Sequence, residues 1–406
     1  MTEHTVDTWV EGAAGSLYDI DNLPYGVFSH DDEAPRVGVR IGDFVLDVAP
    51  VAAGDMLEVA HIFEAPDLNG LIALGRPRWD SVREWVSSVL TDPMRRDHVE
   101  PLLVPVSEAT MHLPMVVADY VDFYCSLDHA TNVGRIFRPD AEPLLPNWRH
   151  LPVGYHGRSG TVVVSGTPVV RPSGQRKPPS ADAPDFGPSR RLDIEAELGF
   201  LVGTPSAMGE RVPVGAFADH VFGVLPLNDW SARDIQAWEY VPLGPFLGKS
   251  FATSVSGWVT PLAALEAARV DLPGQDPEPL EYLRVGPGAG YDITFEVLLN
   301  GETVARPPYS TMYWSPAQML AHLTVNGASL RVGDLFASGT ISGPEREQRG
   351  SFLELSWGGK EPFTVRGEER TFLEDGDEVT IRATAPGTRG GRIALGEVTG
   401  RVLPAR

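Results

Sequence analysis

Hydrophobic and polar residues alternate in short runs along most of the chain, a pattern typical of β-strands. Two such runs, residues 37–41 and 44–48, flank Gly42-Asp43, so we expect a hairpin with a two-residue turn. Further strands are expected at residues 161–164, 192–202, 291–299 and 378–383. Gly and Pro are plentiful, at 42 and 36 residues, which favours short strands and many turns over long helices.

Helical periodicity is confined to a few segments. One follows Pro77, where apolar residues recur at helical spacing: Trp79, Val82, Trp85, Val86 and Val89. Another begins at Ser315-Pro316, which suit the N-cap and the first helical position, and ends at Asn326-Gly327. Residues 171–188 are rich in Pro and Ser, and we expect them to form a long surface loop or a lid.

The length of 406 residues and a hydrophobic content of 42% indicate two domains with a sizeable core. Residues 1–118 contain the hairpin and the first helix, and they predict a small β-barrel-like domain whose role is structural. From residue 119 onward, short β-like runs dominate. Residues 119–406 therefore predict one large, mostly β domain with few helices.

Charge and composition narrow the function classes. The chain has 33 basic and 55 acidic residues, a net charge of −22, which argues against nucleic acid or an anionic membrane as partner. Cys125 is the only cysteine, so neither an intramolecular disulfide nor a thiolate metal cluster is expected. Met1-Thr2-Glu3-His4 lacks the basic and apolar regions of a signal peptide, and no apolar run suits a membrane span. We expect a cytoplasmic protein.

The strand-like run at residues 192–200 carries the first candidate chemistry. Strict alternation places Glu195 and Glu197 on the face opposite Leu192, Ile194, Ala196, Leu198 and Phe200. Their carboxylates can converge on one ion. An antiparallel strand with a solvated acidic face would show the same pattern, and the spacing alone favours that alternative.

A second candidate follows Asp229. If the chain turns helical there, one helix face presents a carboxylate, a guanidinium, an amide and a phenol, from Asp229, Arg233, Gln236 and Tyr240. A polar helix face is usually only the solvated one. The mixture of hydrogen-bonding types weakens that alternative, because solvated faces tend to carry Lys and Glu pairs.

Two further motifs are ambiguous in isolation. His129 follows Asp122 by seven residues, and a single histidine is more often structural than catalytic. Gly248-Lys249-Ser250 superficially resembles the end of a phosphate-binding loop, but its spacing from Gly244 is one residue short. We therefore reject nucleotide binding.

Taken together, these segments resemble the fumarylacetoacetate hydrolase family over nearly the whole chain. The matching blocks are residues 22–28, 122–134, 146–158, the Glu195-x-Glu197 strand, 228–253, 339–344 and 353–357. Glu-x-Glu with a distant Asp is shared with decarboxylases, isomerases and acylpyruvate hydrolases of the wider superfamily. The blocks around His129 and from Asp229 to Thr253 are more specific.

The resemblance implies a role for each matched residue. The metal carboxylates would be Asp122, Glu195, Glu197 and Asp229, and a second, peripheral cation site would involve Lys249 and Thr253. His129 would be the general base, oriented by Glu354, and Arg233, Gln236 and Lys249 would stabilise the oxyanion. Other substrate contacts would be Tyr124, Arg138, Tyr155, Tyr240 and Thr340, together with Gln236.

The implied reaction is metal-dependent hydrolysis of 4-fumarylacetoacetate, a β-diketo acid, to fumarate and acetoacetate, the last step of tyrosine and phenylalanine breakdown. Four carboxylates without a Cys or His ligand favour Ca²⁺ or Mg²⁺ over zinc. The family also implies a homodimer, an SH3-like fold for residues 1–118 and a mixed β-sandwich or β-roll for the catalytic residues 119–406.

Two alternatives stay open. A superfamily relative could decarboxylate or isomerise a related keto acid, or act as an acylpyruvate hydrolase, without the His129–Glu354 pair. Outside enzymes, the acidic residues could form a calcium site in a structural module. Glu354 lies in residues 352–357, where strand alternation puts it opposite Leu353, Leu355 and Trp357. On a solvated face it would be a harmless surface charge.

Overall fold

The structure, a computed structural model, describes residues 7–31, 33–178 and 180–406. Short strands provide most of its regular structure, which confirms the prediction of a mostly β protein. Met1-Thr2-Glu3-His4, on which the signal-peptide prediction depends, lies outside the described residues. In the part of the chain that is described, every helix is too short or too polar to cross a membrane.

Residues 7–118 combine a small group of strands with the longest helix. The strands are β1 (Tyr25–His30), β2 (Arg36–Ile41), β3 (Phe44–Asp47), β4 (Leu103–Pro105) and β5 (Ala109–His112). The helices are α1 (Val48–Gly54), α2 (Asn69–Ile72), α3 (Arg76–Thr91) and α4 (Arg96–Val99). β2 and β3 form the predicted hairpin around Gly42-Asp43, where Gly42 adopts the φ of +55° that the turn requires. α3 also confirms its prediction, since it buries Trp79, Val82, Val86 and Val89.

The remaining strands are short and numerous. They are β6 (Tyr120–Phe123), β7 (Gly154–His156), β8 (Val162–Val164), β9 (Val169–Val170), β10 (Ser173–Arg176), β11 (Asp185–Pro188), β12 (Leu192–Asp193), β13 (Ala196–Val202), β14 (Val221–Asp229), β15 (Ser231–Ala232), β16 (Thr253–Val255), β17 (Trp258–Pro261), β18 (Arg269–Val270), β19 (Gly290–Tyr291), β20 (Thr294–Leu299), β21 (Glu302–Ala305), β22 (Leu335–Ala337), β23 (Phe363–Val365), β24 (Glu368–Arg370), β25 (Glu378–Pro386) and β26 (Arg392–Leu403). The helices are α5 (Leu127–Phe137), α6 (Phe217–His220), α7 (Arg233–Glu239), α8 (Pro316–Thr324) and α9 (Phe352–Leu355).

A large mixed sheet runs through the molecule in the order β4-β3-β2-β1-β17-β14-β13-β22-β6-β7. β5 pairs with β1, β16 with β14, and β8 with β16. A second sheet, β21-β20-β25-β26-β9, packs against β14 through β25 and β26, so the two sheets form a sandwich. Pairing of β1 with β17 joins the strands before residue 118 to those after it. The domain boundary at residue 118 and the SH3-like barrel stay predictions.

The core between the sheets is rich in aromatic side chains. Phe200 on β13 stacks on Phe336 of β22 with centroids 5.1 Å apart, and Trp230 and Trp314 are fully buried. Burying each such side chain contributes roughly 1.5–3 kcal/mol of hydrophobic stabilisation. This packed layer supports the central strands, at whose ends the candidate site residues lie. The predicted helix start at Ser315-Pro316 is also confirmed, because Ser315 and Gln318 form a capping box before α8.

The prediction of a long loop at residues 171–188 is wrong, because the segment contains two paired strands; its movement as a lid stays a prediction. β10 and β11 pair in antiparallel register from Ser173 opposite Pro188 to Arg176 opposite Asp185; Pro179 lies outside the described residues. This hairpin packs against α7, where a Cβ on Gly174 would approach Ile235 Cδ1 to 2.8 Å. Proline-rich composition concealed the strands, because the described prolines of the segment lie in the turn and at or beside the strand ends.

Three strand predictions also fail locally. Residues 291–299 are interrupted at residues 292–293, between β19 and β20. Residues 192–202 are divided into β12 and β13, because Ile194 and Glu195 leave the ladder beside the buried carboxylate of Asp193. Residues 352–355 form helix α9 instead of a strand. Ser351 caps this helix, and the Asp193 carboxylate accepts hydrogen bonds from the first two helical N–H groups, Phe352 at 2.7 Å and Leu353 at 2.9 Å.

Candidate functional site

Three acidic side chains converge where the central strands of the large sheet lie side by side. β6 pairs with β22, β22 with β13 and β13 with β14, so Asp122, Glu197 and Asp229 are brought together from separate parts of the chain. Their carboxylate oxygens lie within 4.8 Å of one another, and all three side chains are buried. The alternative of a solvated acidic strand face is therefore wrong, because β13 is covered on both faces.

The environment of this triad fits a hard divalent cation. Burial, together with the neighbouring carboxylates, raises the pKa of Glu197 well above its usual range. Burial also raises the pKa of Asp122 to about 6, although the Arg158 guanidinium lowers it. Glu197 Oε1 is buried without a hydrogen-bond partner among the described residues. Clustered, dehydrated carboxylate oxygens with a vacant lone pair are the donor set that Ca²⁺ or Mg²⁺ prefers.

Glu195 borders the triad but faces a different set of partners. Its carboxylate accepts from Lys249 Nζ at 2.5 Å and pairs with Arg233 Nη1 at 2.7 Å. Although burial raises the pKa of Glu195, the charges of Lys249 and Arg233 outweigh it and hold that pKa below its ordinary value. Lys249 Nζ also donates to Asp229 at 2.6 Å, so one ammonium joins Glu195 to the triad. A ligand role for Glu195 stays a prediction.

The residues predicted to stabilise an oxyanion meet at the start of helix α7. Arg233 is its first residue, and the helix begins there and not directly after Asp229. Arg233 Nε donates to Asp193 at 2.8 Å, and its Nη1 donates to Gln236 Oε1 at 3.1 Å. Lys249 is buried, and its pKa is raised because Asp229 and Glu195 outweigh the effect of burial. Arg233, Gln236 and Lys249 thus form one connected group.

Thr253 lies at the start of β16, opposite Asp229 in the strand register. Its hydroxyl donates to Asp229 Oδ1 at 3.2 Å, and the side chain is fully buried. The structure therefore brings Thr253 and Lys249 to the same carboxylate. Their role in a second cation site stays a prediction.

His129 and Glu354 form a buried pair, although 225 residues separate them in the chain. Ser126 caps helix α5 and fixes His129 in its first turn, and His129 Nδ1 lies 2.6 Å from Glu354 Oε2. Glu354 is also bonded by Ser342 Oγ and Ser351 Oγ at 2.9 and 2.8 Å, and Asn132 Nδ2 donates to Oε1 at 3.0 Å. The alternative of an exposed surface charge is wrong, because no part of Glu354 reaches solvent.

These contacts set the ionisation of Glu354. Burial raises its pKa, but the charge of His129 and the surrounding donors outweigh burial, so the pKa lies below its ordinary value. An ionised carboxylate at Nδ1 leaves Nε2 of His129 as the nitrogen that can accept a proton. The pair therefore has the geometry of a general base with its orienting group.

A cavity of about 440 Å³ adjoins the triad and the histidine. The predicted site residues that line it are Asp122, Tyr124, His129, Arg138, Tyr155, Glu195, Arg233, Gln236, Tyr240, Lys249 and Thr340. Arg138 Nη2 donates to the Pro143 carbonyl, and its buried Nε has no hydrogen-bond partner among the described residues. Thr340 Oγ1 is likewise buried and unpartnered in the described chain. Both groups can bind oxygen atoms of a ligand in the cavity.

Comparison with known sequences settles the family. Residues 119–403 match the family model described as fumarylacetoacetate (FAA) hydrolase C-terminal, and residues 21–114 match fumarylacetoacetase N-terminal. The chain belongs to the fumarylacetoacetate hydrolase family. The fumarylacetoacetases of Homo sapiens and Rattus norvegicus are each 47% identical over 98% of this chain and 99% of their own. The fumarylacetoacetase of Oryza sativa subsp. japonica is 45% identical over 98% of this chain and 97% of its own length.

A solved structure supports the fold. The fumarylacetoacetate hydrolase from psychrophilic Exiguobacterium antarcticum covers 95% of this chain and 100% of its own, with a TM-score of 0.56 and 17% sequence identity. At this identity the likeness concerns the fold alone. Sequence relatives and family models together place the chain among the hydrolases of the fumarylacetoacetate hydrolase family.

The sequence pattern gave no role to two buried residues of the site, Arg158 and Asp193. Arg158 Nη2 donates to Asp122 at 2.9 Å and Asp229 at 3.1 Å, and its guanidinium lies 5.0 Å from the ring centroids of both Tyr120 and Tyr155. Tyr155 accepts from Arg158 and donates to Asp122 Oδ2 at 2.9 Å. Asp193 anchors Arg233 and helix α9. Arg158 ended a matching block and Asp193 lay within the strand-like run at residues 192–200, but neither position carries a local signal of burial.

Proposed function

We propose that the chain hydrolyses a carbon–carbon bond of 4-fumarylacetoacetate and releases fumarate and acetoacetate. One observation carries the proposal: a buried His129–Glu354 pair, a buried acidic triad and the Arg233–Gln236–Lys249 group adjoin one cavity. The relatives named fumarylacetoacetase support the same reaction, which would be the last step of tyrosine and phenylalanine breakdown. The homodimer and the cytoplasmic location stay predictions from sequence.

The proton transfer falls to His129. Its Nε2 accepts a proton from water, and the water oxygen bonds to a carbonyl carbon of the diketone. Glu354 holds Nδ1 at 2.6 Å and stabilises the imidazolium that results. The tetrahedral oxyanion then re-forms a carbonyl as the carbon–carbon bond breaks. The electron pair of that bond stays with the acetoacetate carbon, which takes up the proton held by His129 Nε2.

The remaining residues bind charge. Arg233, Gln236 and Lys249 supply donors for the oxyanion, and Tyr124, Arg138, Tyr155, Tyr240 and Thr340 would hold the substrate's oxygen atoms. Asp122, Glu197 and Asp229, with Glu195 as a fourth ligand, would hold one Ca²⁺ or Mg²⁺. When bound, this cation would stabilise negative charge on the diketone oxygens as a Lewis acid. Lys249 and Thr253 would contribute backbone or hydroxyl oxygens to a second, peripheral cation site.

A direct assay tests the reaction. The chain, supplied with Ca²⁺ or Mg²⁺, is incubated with fumarylacetoacetate, loss of the diketone absorbance is followed, and both products are quantified. We expect one fumarate and one acetoacetate for each substrate consumed, and His129→Ala should slow their release by roughly 10²–10⁴. A decarboxylase or isomerase would consume substrate without that equimolar pair, and a structural calcium module would not consume it at all.

Lys249→Met tests the oxyanion role. Met keeps the approximate length of the side chain but removes the charge, so kcat should fall by ~10²–10³ with a smaller change in KM. Steady-state kinetics give both constants, and the exposed Lys360 supplies the matched control Lys360→Met, which should leave them unchanged. An effect on KM alone would instead make Lys249 an anchor for the substrate carboxylate.

A further inference from the structure

A second cavity of about 480 Å³ lies between helix α3 and residues 214–222, 261–269 and 285–291. Among the described residues, its lining shares none with the catalytic cavity. Part of the wall is aromatic: Trp79 meets Phe222 edge-on at 5.4 Å between centroids, and Phe217 and Tyr291 complete it. A cavity of this size, with one aromatic face, suits a small organic molecule.

Tyr25 supplies an unsatisfied polar group to this wall. Its side chain is 1% exposed, and its hydroxyl has no hydrogen-bond partner among the described residues. Burying a hydroxyl without a partner is unfavourable, so such a group is typical of a site completed by a ligand or by water. Burial raises the pKa of Tyr25 to about 12, which keeps the hydroxyl protonated as a donor.

Arg83 supplies a positive charge to the same wall. Its Nη1 donates to the Asn22 carbonyl at 2.8 Å and its Nη2 to the Asp21 carbonyl at 2.5 Å. No carboxylate of the described chain lies within ion-pair distance of this guanidinium. Burial lowers the pKa of Arg83, and the charges of Asp21 and Asp80 only partly offset that effect. Arg83 and Tyr25 line the same cavity.

The acidic residues of the wall are matched by other arginines. Asp80 lies 4.0 Å from Arg76, and Glu266 lies 3.6 Å from Arg269. Among the described residues, Arg83 is therefore the lining arginine that has no carboxylate within ion-pair distance. A guanidinium of this kind can pair with one carboxylate group of a ligand.

We propose that this cavity binds a small, flat carboxylic acid. Its carboxylate would lie between the Tyr25 hydroxyl and the Arg83 guanidinium and accept hydrogen bonds from both. Its unsaturated body would pack against Trp79, Phe217 and Phe222. Because β1 and α3 come from the N-terminal part of the chain and residues 214–222 from the C-terminal part, the ligand would connect the two.

Binding of 4-fluorobenzoate to the full chain, followed by ¹⁹F NMR line broadening, tests the proposal. Tyr25→Phe removes only the unpartnered hydroxyl, so the dissociation constant should rise about tenfold, the effect of one hydrogen bond to a charged group. Arg83→Met should weaken binding by at least that factor. Neutral 4-fluorobenzamide has a similar shape and should bind at least tenfold more weakly than the acid.

A control separates this cavity from the catalytic one. Arg138→Met removes a cation from the catalytic cavity and should leave binding of 4-fluorobenzoate unchanged. The proposal fails if the wild-type chain does not bind the probe, if acid and amide bind equally, or if Tyr25→Phe has no effect. Should Arg83→Met fail to fold because it loses two contacts to backbone carbonyls, Tyr25→Phe decides the question alone.

Discussion

Glu354→Gln should lower kcat by roughly 10²–10⁴, the usual contribution of a general base, with little change in KM. In the native pair, the Glu354 carboxylate accepts from His129 Nδ1 and leaves Nε2 unprotonated. The amide of Gln can instead donate to Nδ1, which moves the ring proton to Nε2. That nitrogen then cannot accept a proton from water, although the shape of the site is unchanged.

The same substitution should also reduce stability. His129, Asn132, Ser342 and Ser351 all form hydrogen bonds to the Glu354 carboxylate. The NH₂ group of Gln would face at least one of these partners as a second donor, and that partner must then turn away or lose its hydrogen bond. The free energy of unfolding should fall by ~1–3 kcal/mol, which chemical denaturation would measure. The exposed Glu361 gives a matched control: Glu361→Gln should change stability by no more than about 0.5 kcal/mol and leave kcat unchanged.

A double-mutant cycle decides whether the pair acts as one unit. His129→Ala should cost about as much in kcat as Glu354→Gln, and the double mutant should cost little more, because Glu354 acts only through the histidine. If the two losses multiplied instead, Glu354 would stabilise the fold or the substrate independently of His129. Kinetics at saturating substrate, on variants shown to be folded, distinguish these results.

Local patterns predicted the parts of the fold that local physics determines. The Gly42-Asp43 hairpin, helix α3 and the Ser315 capping box each depend on neighbouring residues, and each was found. Residues 352–355 were assigned wrongly because a four-residue alternating run suits either a strand or one helical turn. Contacts to Asp193, 159 positions earlier, satisfy the first N–H groups of helix α9, and no local pattern contains that information.

In the candidate site, as in the fold, local patterns predicted only what neighbouring residues determine. Spacing alone placed Glu195 and Glu197 on one strand face, but it favoured exposure, because the pattern does not show that β13 lies in the middle of a sheet covered on both sides. The pairing of His129 with Glu354 came from family resemblance, and the structure supplies its geometry. Arg158 had no chemical signal in the sequence, because its importance comes from contacts with two carboxylates on other strands.

Removal of divalent cations should abolish turnover, and Ca²⁺ or Mg²⁺ should restore it. Asp122, Glu197 and Asp229 present three buried carboxylates to one point, and Glu197 Oε1 lacks a hydrogen-bond partner in the described chain. The measurement is turnover before and after exhaustive chelation, with the metal content of the protein determined at each stage. Full activity in a rigorously metal-free preparation would contradict both the metal dependence and the proposed role of the triad.

Substitutions of two neighbouring glutamates, Glu197 and Glu195, distinguish a residue that binds the metal from one that forms ion pairs. Glu197→Gln should weaken Ca²⁺ binding by more than about 100-fold, beyond the 10–100-fold typical of outer-shell partners. The metal-free variant should be no less stable than the wild type, because a carboxylate crowded by Asp122 and Asp229 becomes neutral. Glu195→Gln should also weaken Ca²⁺ binding if Glu195 is a fourth ligand. In contrast, it should lower metal-free stability by ~1–3 kcal/mol, because Lys249 and Arg233 each lose one of two carboxylate partners.

Calorimetric titration with Ca²⁺ and thermal unfolding in chelator measure both quantities for each variant. The opposite effects on metal-free stability are the decisive feature, since both residues are buried glutamates and lie only two positions apart in the chain. They differ in their contacts: Glu195 faces cations, whereas Glu197 faces carboxylates. If both variants destabilised the metal-free protein equally, Glu197 would be an ordinary buried structural acid, and the triad would not be organised for a cation.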